Sequence, residues 1–163
     1  LVFENYHVIG LQRTGTNWLH ALIKENFAVK RKQTFWKHLT PLGQAEEDKD
    51  YGNLYGPAGS DLFLDPKVFY VVTDKEFGKW IKSLKKRRVD FWVSHNFYKE
   101  EKTYEEVYDS WQDWKEKNLE QKNFFYKPYE EWNKNWKMYL NEIQKITKWK
   151  RKHSEFVGVY RRF

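Results

Sequence analysis

The chain has 163 residues, no cysteine and a net charge of +7, and aromatic residues make up 20% of it, nine of them tryptophan. That length suits a single domain, residues 1–163, whose core needs no metal or disulfide staple, while the absence of cysteine excludes disulfides, thiolate nucleophiles and cysteine-ligated zinc. Leu1-Val2-Phe3 opens the sequence with no charged leader, long apolar run or cleavage site. The expectation is therefore a soluble, cytoplasmic protein with no membrane partner, and the missing initiator methionine points to a trimmed or partial chain. Residues 1–60 carry 7 Lys/Arg and 6 Asp/Glu against 23 and 17 downstream, so the positive excess lies in the second part. Such a balance favours anionic partners: nucleic acid, an acidic polymer or a phosphorylated cofactor.

In chain order, Tyr6 to Leu11 reads as a short buried strand, and a glycine turn leads into Asn17 to Ile23, whose apolar spacing is helical. Strand, turn and helix in that order open a parallel α/β sheet. Thr34 to Leu39 is a candidate second strand. Residues 41–66 hold three of the four prolines and read as a long loop placed as a lid over a ligand site. Lys67 to Val72 is the clearest strand, rich in β-branched and aromatic residues. A helix follows, with Thr73 and Glu76 in capping-box spacing, Asp74 as a rival cap, and Phe77, Trp80, Ile81 and Leu84 as its apolar stripe. Val89 to Val93 is a further strand or an extended connection. Residues 103–152 are charged and mainly helical, broken near Asn123 to Pro128, and Phe156 to Tyr160 is a candidate closing strand.

Gly10-Leu11-Gln12-Arg13-Thr14-Gly15-Thr16-Asn17 has the two-glycine frame of a Walker loop. Thr16 replaces the lysine that reaches the outer phosphates, and Asn17 replaces the hydroxyl that holds magnesium. A nucleoside triphosphatase or nucleotide kinase would lack both groups. The anion-binding geometry survives, because a glycine turn admits a phosphate to backbone N–H groups and a helix N-terminus adds partial positive charge.

Arg13-Thr14-Gly15-Thr16-Asn17-Trp18-Leu19 resembles the 5′-phosphosulfate-binding loop of sulfotransferases, which use 3′-phosphoadenosine 5′-phosphosulfate. The resemblance implies that Arg13 contacts the phosphate and bridging oxygen and stabilises the leaving charge. Thr14, Gly15, Thr16 and Asn17 then hold the 5′-phosphate, and Trp18 packs near adenine. Lys75 and Ser83, eight residues apart after the second clear strand, resemble the family's 3′-phosphate-binding pair. A lysine here keeps the charge of the more usual arginine but loses its bidentate fork. Trp36-Lys37-His38-Leu39-Thr40-Pro41 loosely resembles the segment that supplies the catalytic histidine, so His38 is the expected general base, with Lys37 as a possible aid to the sulfonate and His95 in reserve. The match is good over residues 6–23 and 67–84, loose over 34–41 and poor elsewhere.

The resemblance implies a three-layer α/β sandwich with a mostly parallel sheet and a P-loop-NTPase-like sulfotransferase core. It also implies transfer of a sulfuryl group to a hydroxyl or amine of a small-molecule or glycan acceptor, with adenosine 3′,5′-bisphosphate as product and no metal. The alternatives are a nucleic-acid or polyanion-binding protein, suggested by positive charge interleaved with aromatics although nucleic acid is disfavoured as a partner, and a nucleotide-kinase-like phosphotransferase, disfavoured by the missing Walker lysine. Lys85-Lys86-Arg87-Arg88 and Lys148 to Lys152 are the strongest basic clusters, read as solvated helix ends or as a polyanion surface. His7 and His20 read as packing residues, and Glu46 to Asp50 as a solvated acidic loop. Oligomeric state and acceptor identity have no sequence signal.

Overall fold

The computed structural model describes residues 2–11, 13–34, 64–86 and 103–160. Its elements run β1 (Asn5–Ile9), α1 (Thr16–Asn26), β2 (Lys30–Arg31), β3 (Val68–Val72), α2 (Phe77–Lys86), α3 (Tyr104–Asn118), β4 (Phe124–Tyr126) and α4 (Tyr129–Thr147). The four described strands form one sheet in the order β2-β1-β3-β4, and every pairing is parallel. The register sets Asn5 against Val68 and Ile9 against Val72, so β1 and β3 end side by side.

Strand alternation divides the core in two. Tyr6, Val8, Phe69, Val71 and Phe125 face α1 and α4, packing on Leu19, Leu22, Ile23, Trp132, Leu140 and Ile143. Ile9, Val68, Tyr70, Val72 and Phe124 face the other way, against Trp80 and Leu84 of α2 and Val107, Trp111 and Trp114 of α3. Both faces of the sheet are thus covered by helices, as a buried parallel sheet requires, and the result is a three-layer α/β arrangement. Large rings replace the scarce aliphatics: Trp80, Trp111 and Trp132 are fully buried, and each such ring removes roughly 150–250 Å² from water.

The sequence expectations are met at β1, α1, β3 and α2, and corrected in several places. The break at 123–128 contains β4, whose three residues add to the sheet edge beside β3. Phe156 to Tyr160 is not a strand; Asn26 binds the segment instead, its Nδ2 donating to Val157 O and its Oδ1 accepting from Val157 N, both at 2.8 Å. Thr73 and Glu76 do not form a capping box, because α2 starts at Phe77, four residues past Thr73, whose Oγ1 donates to Thr14 O at 3.3 Å. The capping box belongs to α3, where Thr103 and Glu106 exchange bonds. The expected strand at 34–39 begins at Thr34, which lies outside β2, and its remainder falls outside the described residues, as do residues 89–93 and nearly all of 41–66.

The segment after α4 returns to the start of the chain. Lys148 adopts a left-handed conformation with φ 60° at the helix end, and this turns the chain sharply. Trp149 Nε1 then donates to Phe3 O at 2.8 Å. Ala28 N donates to Lys150 O and Lys152 N to Asn26 O. These bonds join residues more than a hundred positions apart.

Candidate functional site

Two strand-to-helix corners meet at the carboxyl ends of β1 and β3. The first is the loop from Gly10 to Gly15. Arg13 and Gly15 both take left-handed φ values, 62° and 91°, so the backbone turns sharply twice within three residues. A non-glycine residue there carries steric cost, and such cost gathers at ligand-binding loops. Thr14 is buried and its hydroxyl donates to Leu11 O at 2.6 Å, which closes the loop on itself. Gly10 has no room for a side chain: a Cβ would stand 2.6 Å from Thr73 O and 2.7 Å from Thr14 Oγ1. That glycine lets the two corners touch, and Thr73 N donates to Ile9 O across the same seam.

Gly15 is the N-cap of α1, which has no side-chain cap and no acidic residue in its first turn. The positive end of the helix dipole is therefore not offset by a carboxylate. Thr16 is buried, while Asn17 is exposed at the rim. Trp18 lies in the core at 5% exposure, its ring edge-on to Tyr129 at 6.1 Å.

The second corner carries Lys75. Its Nζ donates to Ser83 Oγ at 3.5 Å, so the two residues expected to act together do meet, Lys75 just ahead of α2 and Ser83 within it. The ammonium also lies 4.8 Å from the centroid of the Tyr129 ring. That ring covers Gly15, where an added Cβ would come within 2.5 Å of Tyr129 Cδ2. Tyr129 therefore touches both corners, with Gly15 and Trp18 on one side and Lys75 on the other. Burial holds the Lys75 pKa below its ordinary value, and the nearby Arg13 charge lowers it further. Two cations, one from each corner, are thus near enough to act on one another.

Beneath Lys75 lies a cluster with no counterpart in the sequence expectations. Asp74 and Lys115 are both buried and form an ion pair at 2.5 Å. Tyr126 donates to the other Asp74 oxygen at 2.7 Å, and Lys115 Nζ lies 3.3 Å from the Tyr126 hydroxyl. Burial raises the Tyr126 pKa above the ordinary tyrosine value, and the Asp74 carboxylate that accepts its proton raises it further. Tyr108 Oη donates to Lys75 O, and Tyr129 N donates to Asp74 O, both at 2.8 Å. The sequence held one clue: Lys115 falls on the stripe Val107, Trp111, Trp114, where a helix buries its residues.

His38 and Lys37, expected at the acceptor side, lie outside the described residues, as does His95. His7 and His20 are packing residues as expected. His7 is buried against the Tyr70 ring, and His20 Nδ1 bonds the Tyr6 hydroxyl at 2.8 Å. The 148–152 cluster is partly structural, since Trp149 is buried and the Arg151 guanidinium stacks 4.0 Å from the Phe156 ring centroid. Among the described residues no group of acidic and histidine side chains has the arrangement of a metal site, and no helix is long and apolar enough to cross a membrane. No protein-family model and no curated protein matches the chain.

Proposed function

We propose that this protein is a sulfotransferase that binds 3′-phosphoadenosine 5′-phosphosulfate across the two corners and passes its sulfuryl group to a hydroxyl or amine. The observation that carries this reading is the meeting of the two corners at Tyr129, whose ring covers Gly15 and lies 4.8 Å from the Lys75 ammonium, with Arg13 near enough to act on the Lys75 charge. The two cations come from separate strand-to-helix junctions and lie partly out of water; burial, and after it repulsion from Arg13, lowers the Lys75 pKa. An anion with two separated charged groups relieves that repulsion, and the uncapped start of α1 adds to the attraction. The loop has no lysine or hydroxyl where a nucleoside triphosphatase needs them, which disfavours phosphoryl transfer.

In this reading Thr14, Gly15, Thr16 and Asn17 surround the 5′-phosphate, and Lys75 and Ser83 hold the 3′-phosphate. Trp18 supports the Tyr129 ring from within the core, since its own faces are enclosed. His38 accepts the acceptor's proton as the acceptor oxygen or nitrogen attacks sulfur. The sulfur–oxygen bond to the 5′-phosphate breaks, and Arg13 stabilises the charge left on that phosphate. A cytoplasmic location and a small-molecule or glycan acceptor belong to the same proposal.

Adenosine 3′,5′-bisphosphate is expected to raise the melting temperature of the protein, because a ligand that prefers the folded state stabilises it. Arg13→Ala and Lys75→Ala each reduce that shift, whereas His38→Ala keeps it and lowers turnover. No shift in the wild type at saturating bisphosphate overturns the assignment.

A further inference from the structure

We propose that Lys115 is a positioning residue for Lys75: its ion pair with Asp74 fixes the Asp74-Lys75 peptide so that Lys75 meets the 3′-phosphate. This inference rests on the nucleotide-binding reading above and names a residue that the resemblance to sulfotransferases does not supply.

Four bonds from three elements hold this dipeptide. Lys115 and Tyr108 reach it from α3, at the Asp74 carboxylate and the Lys75 carbonyl. Tyr126 binds the second carboxylate oxygen from the end of β4, and Tyr129 N binds the Asp74 carbonyl from the start of α4. The Lys75 side chain leaves this anchored backbone and crosses to Tyr129 and Ser83. A lysine has four rotatable bonds and no planar fork, so its placement depends on where its Cα is held. Arginine brings its own geometry to a phosphate; lysine needs it from the surroundings.

The chemistry of the cluster also points to positioning. A buried ion pair adds little stability relative to apolar residues of the same volume, yet it tolerates few alternative arrangements. Asp74 has both oxygens occupied, and the Lys115 ammonium lies 4.6 Å from the Tyr126 ring centroid, so the three side chains define one packing.

The test compares the affinities of the whole chain for adenosine 3′,5′-bisphosphate and adenosine 5′-monophosphate, which differ by the 3′-phosphate alone. Lys115→Met by itself leaves the Asp74 charge buried, so the double variant K115M/D74N, which removes both charges, is measured beside it, with thermal melting as the check on folding. The expected result is a loss of roughly tenfold in bisphosphate affinity, the scale of a modest misplacement of a binding group, while monophosphate affinity stays within about twofold. In a Lys75→Met background the same double variant has no further effect on the ratio of the two affinities. A folded double variant with an unchanged ratio, or one that loses both ligands equally, overturns the positioning role and leaves the nucleotide site standing. A wild-type chain that binds neither nucleotide overturns the nucleotide reading itself, and this inference falls with it.

Discussion

The β1–α1 corner and the β3–α2 corner lie next to each other and are built by opposite means. The first is made from its own backbone: two left-handed residues, a glycine with no space for a Cβ, and a threonine that bonds four residues' worth of loop into one turn. The second is made from distant side chains, since Asp74 and Lys75 are held by residues 33 to 55 positions downstream. A corner of the first kind tolerates changes elsewhere in the protein and fails when its own glycines are replaced. One of the second kind tolerates local changes and fails when a remote partner is lost.

The largest effect expected from this contrast is remote. Lys115→Met should cost about 3–5 kcal/mol of unfolding free energy, because it strands a buried carboxylate, and adding Asp74→Asn should recover much of the loss. Chemical denaturation of both variants measures this, and equal stability of the two would contradict it. Next comes the local change. Gly15→Ala forces a left-handed alanine against the Tyr129 ring and should cost about 2–4 kcal/mol. Tyr129→Ala in that variant should return part of it, which thermal melting would show.

A smaller effect separates the two cations by pH. The Lys75 pKa lies below 10.5 in the free protein, and a phosphate favours the charged form, so ligand binding raises it and takes up a proton. Bisphosphate affinity should therefore hold near neutrality and fall as pH rises through that lowered value. Lys75→Arg, charged throughout, should flatten the fall in calorimetric titrations. The smallest effect concerns the ion pair of Lys79 with Glu130, which links α2 and α4 with both side chains more than half exposed. Lys79→Met should change stability by about 0.5 kcal/mol or less.

How much was legible in the sequence follows from the same contrast. Tyr6 to Ile9, the glycine turn and Val68 to Val72 declare themselves through local composition, and neighbouring strands then bring the two corners together. The partner relation of Lys75 and Ser83 was legible only through the resemblance to the family's 3′-phosphate segment, since Lys75 precedes α2 and Ser83 lies within it. The pair of Asp74 with Lys115 was not, because 41 residues separate them and the stripe that buries Lys115 does not say which carboxylate it meets. Asp74 in particular reads as a helix cap, a local role that the long-range bond displaced. β4 was hidden for another reason: three residues between two charged helices show no alternation, and only the edge of β3 makes them a strand. Phe156 to Val159 misled in the reverse direction, since an apolar extended stretch finds its partner in the Asn26 side chain and not in a neighbouring backbone.

The return of the chain after Lys148 has a consequence for synthesis. Phe3, Asn26 and Ala28 leave the ribosome well over a hundred residues before their bonding partners at 149, 150, 152 and 157. The side of the core that Trp149 closes stays exposed to water, or to whatever shields nascent chains, until that later segment arrives. Maturation of this core is therefore tied to the arrival of the segment after α4, and a ribosome stalled before Trp149 would hold a nascent chain with Tyr6, Phe27 and Phe69 still open on that side.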